Sequence, residues 1–168
     1  MRKILTVAAL TVLTVGSAQA LPDASYKLVK TVAIGAPDRW DYVTFDSGAQ
    51  RAYIAHGDVV TVVDVAAGKV AGTLRVGGVT HGTVTIPALG KGYTDDGQSG
   101  TVLVFDLKTL KPLGRIKAEP DADGNVYDPQ SGHVLVITGD SGKVVVIDPK
   151  TDTVRAEIDG GGPLEFGA

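Results

Sequence analysis

The chain has 168 residues, 16 of them Lys or Arg against 19 Asp or Glu, for a net charge of −3, and it contains no cysteine. The basic residues are scattered among acids with no stripe, which argues against a nucleic-acid partner, because affinity for phosphate backbones comes largely from clustered Lys and Arg. Without cysteine there is neither a disulfide scaffold nor a thiolate metal site, so the fold has to rest on packing and strand ladders.

Met1-Arg2-Lys3 is a basic start, residues 4–15 carry no charge, and Ala18-Gln19-Ala20 is a small-residue A-x-A site. This pattern predicts a secretory signal peptide over 1–20, cleaved after Ala20, and a mature protein in the periplasm or outside the cell. The apolar run is too short to cross about 30 Å of hydrocarbon, which takes about 20 helical residues. Residues 21–168 are therefore expected to have no membrane span.

The rest of the chain is a tandem repeat. Asp64, Asp106 and Asp148 each close a short apolar run, and from 64 to 106 and from 106 to 148 the interval is 42 residues both times. A period in the low forties built of short strands predicts an all-β fold, a β-propeller of four-stranded blades. Runs rich in Val, Ile, Thr and Tyr, separated by Gly, Asp and Ser turns, place the strands at 42–45, 51–55, 59–64 and 70–76 in a first blade spanning 40–76. A second blade, 81–117, has them at 83–86, 91–94, 101–106 and 112–117. The third, 123–159, has them at 125–127, 133–138, 144–148 and 154–159. Residues 26–34 resemble only a fourth strand and are expected as a leading strand, while 163–168 is the stub of a fourth repeat. About three and a half blades cannot close a ring of four to eight, so the chain reads as the N-terminal part of a longer propeller, whose open edges also offer a route to self-association.

The residues that match a known family are Trp40-Asp-Tyr-Val-Thr-Phe-Asp46, His81-Gly82, Tyr127-Asp-Pro129 and the Val-Val-Asp, Val-Phe-Asp and Val-Ile-Asp strand ends. With these the chain resembles the YVTN-type β-propeller repeat proteins, the exported YncE-like group. The name tetrapeptide is degenerate here: Tyr53-Ile-Ala-His56, Tyr93-Thr-Asp-Asp96 and Leu135-Val-Ile-Thr138 occupy its place. The resemblance implies a seven-bladed exported propeller; fold alone does not imply a reaction.

One ionisable residue recurs in the turn leading into each first strand: His81, Asp123 and Glu165, again 42 apart. In the first repeat this turn is longer, and either Arg39 or Asp41 takes the slot, with Trp40 between them. First strands line a propeller's central channel, so equivalent positions form a ring at one mouth. Arg39 there would supply a planar donor fork, Trp40 a stacking face, and Asp41, His81, Asp123 and Glu165 orientation and charge for a small ligand or a protein partner. The plainer reading, polar loop residues meeting water, stands beside it.

Other motifs point to structure. Asp64, Asp106 and Asp148 sit on separate blades, where each carboxylate can accept turn N–H groups. Asp95-Asp96-Gly97-Gln98-Ser99-Gly100 and Gly139-Asp140-Ser141-Gly142 read as hairpin turns, since the spaced acidic pattern of a calcium loop is missing. His56, His81 and His133 fall at different repeat positions, which argues against a shared zinc site. Gly160-Gly161-Gly162 has no following helix to cradle phosphate, and no serine stands in a nucleophile elbow. No catalytic residue, metal ligand or cofactor is thus named. The expected function is a binding or scaffold module. The alternatives are part of a propeller enzyme, a lactonase-like hydrolase or a quinoprotein-type oxidoreductase component with its site in further blades, and a structural surface-layer module.

Overall fold

The computed structural model describes residues 26–167; the signal peptide expected over 1–20 and Ala168 of the stub lie outside them. Within these residues the chain forms three four-stranded sheets, each a meander in sequence order. The first holds β1 (Trp40–Asp46), β2 (Arg51–His56), β3 (Val59–Asp64) and β4 (Lys69–Arg75). The second holds β5 (Thr83–Ile86), β6 (Lys91–Asp96), β7 (Thr101–Asp106) and β8 (Pro112–Lys117), with a short 3₁₀ turn, Pro87–Leu89, after β5. The third holds β9 (Ala122–Asp128), β10 (His133–Thr138), β11 (Lys143–Asp148) and β12 (Thr153–Asp159). All neighbours within a sheet pair antiparallel. The first strands β1, β5 and β9 lie side by side along one line, so the sheets stack as blades around a common axis.

The apolar runs of the middle strands follow from burial on both faces. Along β7, Val102 and Val104 pack with Tyr93, Val134, Val136 and Ile147 toward the third blade. The alternate residues, Leu103 and Phe105, pack with Tyr53, Val60, Val62 and Leu74 toward the first. A period-2 backbone sends neighbouring side chains to opposite faces, and a blade between two others needs both faces apolar. Each fully buried side chain of this size contributes about 1.5–3 kcal/mol, so these two clusters carry the blade stacking.

The backbone links the blades in a repeated pattern at the end of each second strand. The amide of Gly97 donates to Val79 O at 2.8 Å and its carbonyl accepts from Asp121 N, of the next blade's lead-in, at 2.9 Å. Gly139 does the same with Asp121 O at 2.9 Å and Leu164 N at 3.2 Å, and Gly57 with Arg39 O at 2.7 Å and Thr80 N at 2.9 Å. Glycine is needed for space at this position: a Cβ on Gly97 would meet Ala122 O at 3.0 Å and His81 Nε2 at 3.2 Å.

Residues 26–34, expected as a leading strand, are not a strand. They join no ladder, and Tyr26 and Val29 are 99% and 91% exposed. A strand is held by its partner's hydrogen bonds, and this segment forms no ladder among the described residues, although it borders a pocket with Val63, Val65 and Gly68 of the first blade. It is attached instead through Lys30, whose Nζ donates to Ala67 O at 3.2 Å. The stub at 163–167 likewise carries no strand. A further difference concerns Asp95 and Asp96, expected in a turn: both belong to β6, paired with Val102 and Thr101.

At the outer edge the junctions are polar. Between the second and third blades, Tyr93 donates its hydroxyl hydrogen toward Asp152 Oδ1 at 2.6 Å, with Pro149 O at 3.2 Å, and Lys91 Nζ donates to Asp152 Oδ2 at 2.6 Å. The corresponding tyrosine of the first blade, Tyr53, is as deeply buried, yet its hydroxyl has no partner among the described residues. Losing a partnered buried hydroxyl costs about 1–3 kcal/mol, whereas losing an unpartnered one removes a burden. Tyr93→Phe should therefore destabilise the protein by about 1–3 kcal/mol in urea unfolding, and Tyr53→Phe should be neutral or slightly stabilising; equal losses in both would contradict this account.

Candidate functional site

Three blades each send one side chain to a single point at one end of the first strands. Asp41 enters from β1, His81 from the turn before β5, and Asp123 from β9. His81 Nδ1 lies 3.1 Å from Asp41 Oδ2 and 3.1 Å from Asp123 Oδ1. Ionised carboxylates only accept, so Nδ1 carries the hydrogen and donates it to Asp41, with Asp123 in charge contact on the same nitrogen. Of the two residues open for the first-blade slot, Asp41 is the one that reaches the cluster.

His81 is aimed by its own backbone, and the backbone is held by Asp95. The carboxylate of Asp95 is fully buried. Its Oδ1 accepts from His81 N at 2.6 Å, and its Oδ2 from Gly82 N at 2.8 Å and Asn125 Nδ2 at 2.7 Å. Asn125 Nδ2 also donates to Gly82 O at 3.1 Å, as does Thr94 Oγ1 at 2.8 Å. From β1, Tyr42 N donates to His81 O at 3.1 Å. The short segment carrying the imidazole is thus fixed on both sides by neighbouring blades, with no flexible loop to position it.

Sequence reasoning missed Asp95 as a site residue, though a signal for it existed. In the three degenerate tetrapeptides it occupies the column of Ala55 and Ile137, an apolar slot on a second strand. Burial pushes its carboxyl up to about 7, with the His81 and Gly82 amides and the charge of His81 pulling the other way. Burial also raises Asp123, which His81 opposes and Glu165, Asp121 and Asp41 reinforce. The phenol of Tyr42 is raised by burial first, then by Glu165, Asp41 and Asp123, so the expected acids do gather around one ring.

Below this cluster the first strands enclose a cleft of about 400 Å³, bordered by Tyr42, Thr44, Gly82, Asn125, Tyr127 and Phe166 among others. Phe166, from the stub, leans on Tyr42 with ring centroids 5.2 Å apart. Asn125 borders the cleft, and its side-chain oxygen is buried with no partner among the described residues. Glu165 sits close enough to act on Asp123 and Tyr42 but makes no hydrogen bond with them. Trp40 is 76% exposed at the rim, its backbone opposite His56, and Arg39 is exposed beside it, neither touching the carboxylates.

The remaining residues keep to their own blades. Asp64 Oδ1 accepts from Ala67 N at 2.7 Å, Asp106 Oδ1 from Thr109 N at 2.7 Å and Asp148 Oδ1 from Lys150 N at 2.9 Å, three separate turns. His56 is buried between Pro37 O and Thr61 Oγ1.

The raised carboxyls set a pH dependence. A carboxyl of ordinary value 3.8 that folding raises to about 7 holds its proton in the folded chain over a range where the unfolded chain has released it. Stability then falls as pH rises from about 4 to about 7, with Asp123 acting in the same direction. Thermal unfolding across this window should show that decline, and Asp95→Asn should flatten it whatever its absolute stability; an unchanged slope in the variant would assign the decline elsewhere.

Comparison with known proteins places the fold. No family model and no curated protein matches the sequence. Among solved structures, hydrazine synthase of Kuenenia stuttgartiensis superimposes with a TM-score of 0.66 at 21% identity, over 72% of this chain and 36% of its own. AztD from Citrobacter koseri, in its apo form, gives 0.60 at 16% identity over 73% and 36%. The dihydro-heme d1 dehydrogenase NirN, in complex with DHE, gives 0.57 at 15% over 71% and 28%. The chain spans about a third of the length of these proteins, and at such identities the likeness is one of fold: three four-stranded blades of a β-propeller.

Proposed function

We propose that the chain is part of an exported β-propeller binding module, of the YVTN-repeat kind, that takes a small polar ligand at the channel mouth formed by Asp41, His81, Asp123 and Glu165. The observation carrying this reading is that side chains from three blades meet within 3.1 Å of one imidazole nitrogen above an aromatic-walled cleft. Convergence of polar groups on a concave, partly apolar surface is the common form of a small-molecule site. Positioned acceptors dominate here: the carboxylates of Asp41, Asp123 and Glu165 favour a ligand that brings donors, such as an amine or a polyol. Tyr42 and Phe166 offer it an apolar face, and Trp40 and Arg39 stand at the rim where a larger ligand or a partner's loop would reach them. Export rests on the signal peptide expected over 1–20.

Trp40 is the single tryptophan of the chain, so its emission reports on the mouth directly. Titration with a panel of amines, amino acids and sugars should give saturable quenching or a spectral shift for at least one class. His81→Ala and Asp123→Asn should each weaken that response at least tenfold, consistent with loss of a charged hydrogen-bonding partner. A ligand bound equally well by a Trp40→Ala, His81→Ala double variant, followed by calorimetry, would remove the mouth from the reading.

A further inference from the structure

The two outer junctions are built from equivalent positions, and they differ at one of them. In the repeat, Arg51 corresponds to Lys91, Tyr53 to Tyr93, Leu107 to Pro149 and Leu110 to Asp152. Leu110 and Asp152 even share the same left-handed backbone, with φ of 57° and 56°. Between the second and third blades the Asp152 carboxylate bridges the Tyr93 hydroxyl and the Lys91 ammonium, at 2.6 Å each. Between the first and second, the cation and the hydroxyl are both present and the carboxylate is replaced by a leucine.

The groups that would meet a carboxylate there are in place. Arg51 uses Nη1 on Leu107 O at 2.6 Å, the counterpart of the Lys91 bond to Pro149 O, and its guanidinium also faces the Tyr53 hydroxyl. Tyr53 is 1% exposed with its hydroxyl unpartnered. Burial raises the Tyr53 phenol and the Arg51 guanidinium alongside opposes the rise, so the two groups flank the same space. That space is a cavity of about 470 Å³, bordered also by Pro87, Lys108, Asp46 and Asp106. The two acids have their acceptors occupied, Asp46 by Ala49 N at 3.0 Å and Asp106 by Lys108 N, Thr109 N and Thr109 Oγ1, and the two cations bordering the same space, Arg51 and Lys108, match their two charges. The second junction holds Asp148, the equivalent of Asp106, beside Asp152 in the same way.

We propose that the outer junction of the first two blades binds a small organic carboxylate, which accepts from the Tyr53 hydroxyl and the Arg51 guanidinium in the place that Asp152 fills one junction on. A planar guanidinium with a neighbouring hydroxyl matches two carboxylate oxygens, and Pro87 gives a short aliphatic tail an apolar wall. This site is on the outer rim, apart from the channel mouth, and does not depend on the function proposed for it.

Acetate is the probe, titrated into the full ¹⁵N-labelled chain against sodium chloride at matched ionic strength. Saturable shifts at Arg51, Leu107 and Lys108 with acetate and none with chloride are expected. Tyr53→Phe should weaken acetate at least fivefold, and Leu110→Asp, which places a carboxylate in the site from within, should abolish the response. Equal responses to acetate and chloride, undiminished binding by Tyr53→Phe, or acetate binding retained by a folded Leu110→Asp variant would each overturn the proposal. If Leu110→Asp does not fold, the Tyr53→Phe titration decides.

Discussion

Burial of both faces of the third strands β3 and β7 is the constraint on which the rest of this structure depends. A sheet flanked on both sides must be apolar throughout, and β7 is, with Val102 and Val104 against one neighbour and Leu103 and Phe105 against the other. Polar chemistry is thereby driven to the strand ends and junction rims, where backbone groups need partners and water is near. The clusters that carry charge in this protein lie there: Asp41, His81 and Asp123 at the inner ends, Tyr93, Lys91 and Asp152 at the outer edge.

Asp95 is the exception, and its isolation accounts for its importance. A carboxylate in an apolar strand slot is costly unless donors surround it, and Asp95 has three, two of them backbone amides from the segment that presents His81. The first and third blades hold Ala55 and Ile137 at the same place and have no comparable clamp. The second blade therefore trades hydrophobic contact for orientation of one histidine, an exchange that makes sense for positioning a group that acts on something else.

Much of the fold was legible because the repeat imposes its own checks. The recurrence of Asp64, Asp106 and Asp148 located the third-strand ends of all three blades, and the four-strand pattern between them follows from turn residues at matching offsets. Residues 26–34 have the Val and Ile content of a strand, but a strand also requires an edge to pair with, which composition does not encode. Asp95 and Asp96 read as turn residues in the sequence because they open an acidic, Gly-rich run; the ladder to Val102 and Thr101 draws them into β6. At the mouth the 42-residue spacing of His81 and Asp123 was visible, but the choice between Arg39 and Asp41 was not, since an insertion can be absorbed on either side of Trp40. Contact geometry decides it.

In a repeat protein the informative positions are those where equivalent residues differ, because the shared ones describe the blade. Tyr53 and Tyr93 are alike, and so are the cations beside them, which makes the exchange of Asp152 for Leu110 a change of chemistry within a fixed frame. The same comparison distinguishes Asp95 from Ala55 and Ile137. One substitution adds a buried carboxyl that aims a side chain; the other removes a carboxylate and leaves a buried tyrosine hydroxyl without a partner among the described residues. Both departures leave the two main apolar clusters in place, and Leu110 adds to the one between the first and second blades. A scaffold whose stability is a sum over similar junctions can therefore vary one junction at a time, and function can be built into the departures without disturbing the neighbours.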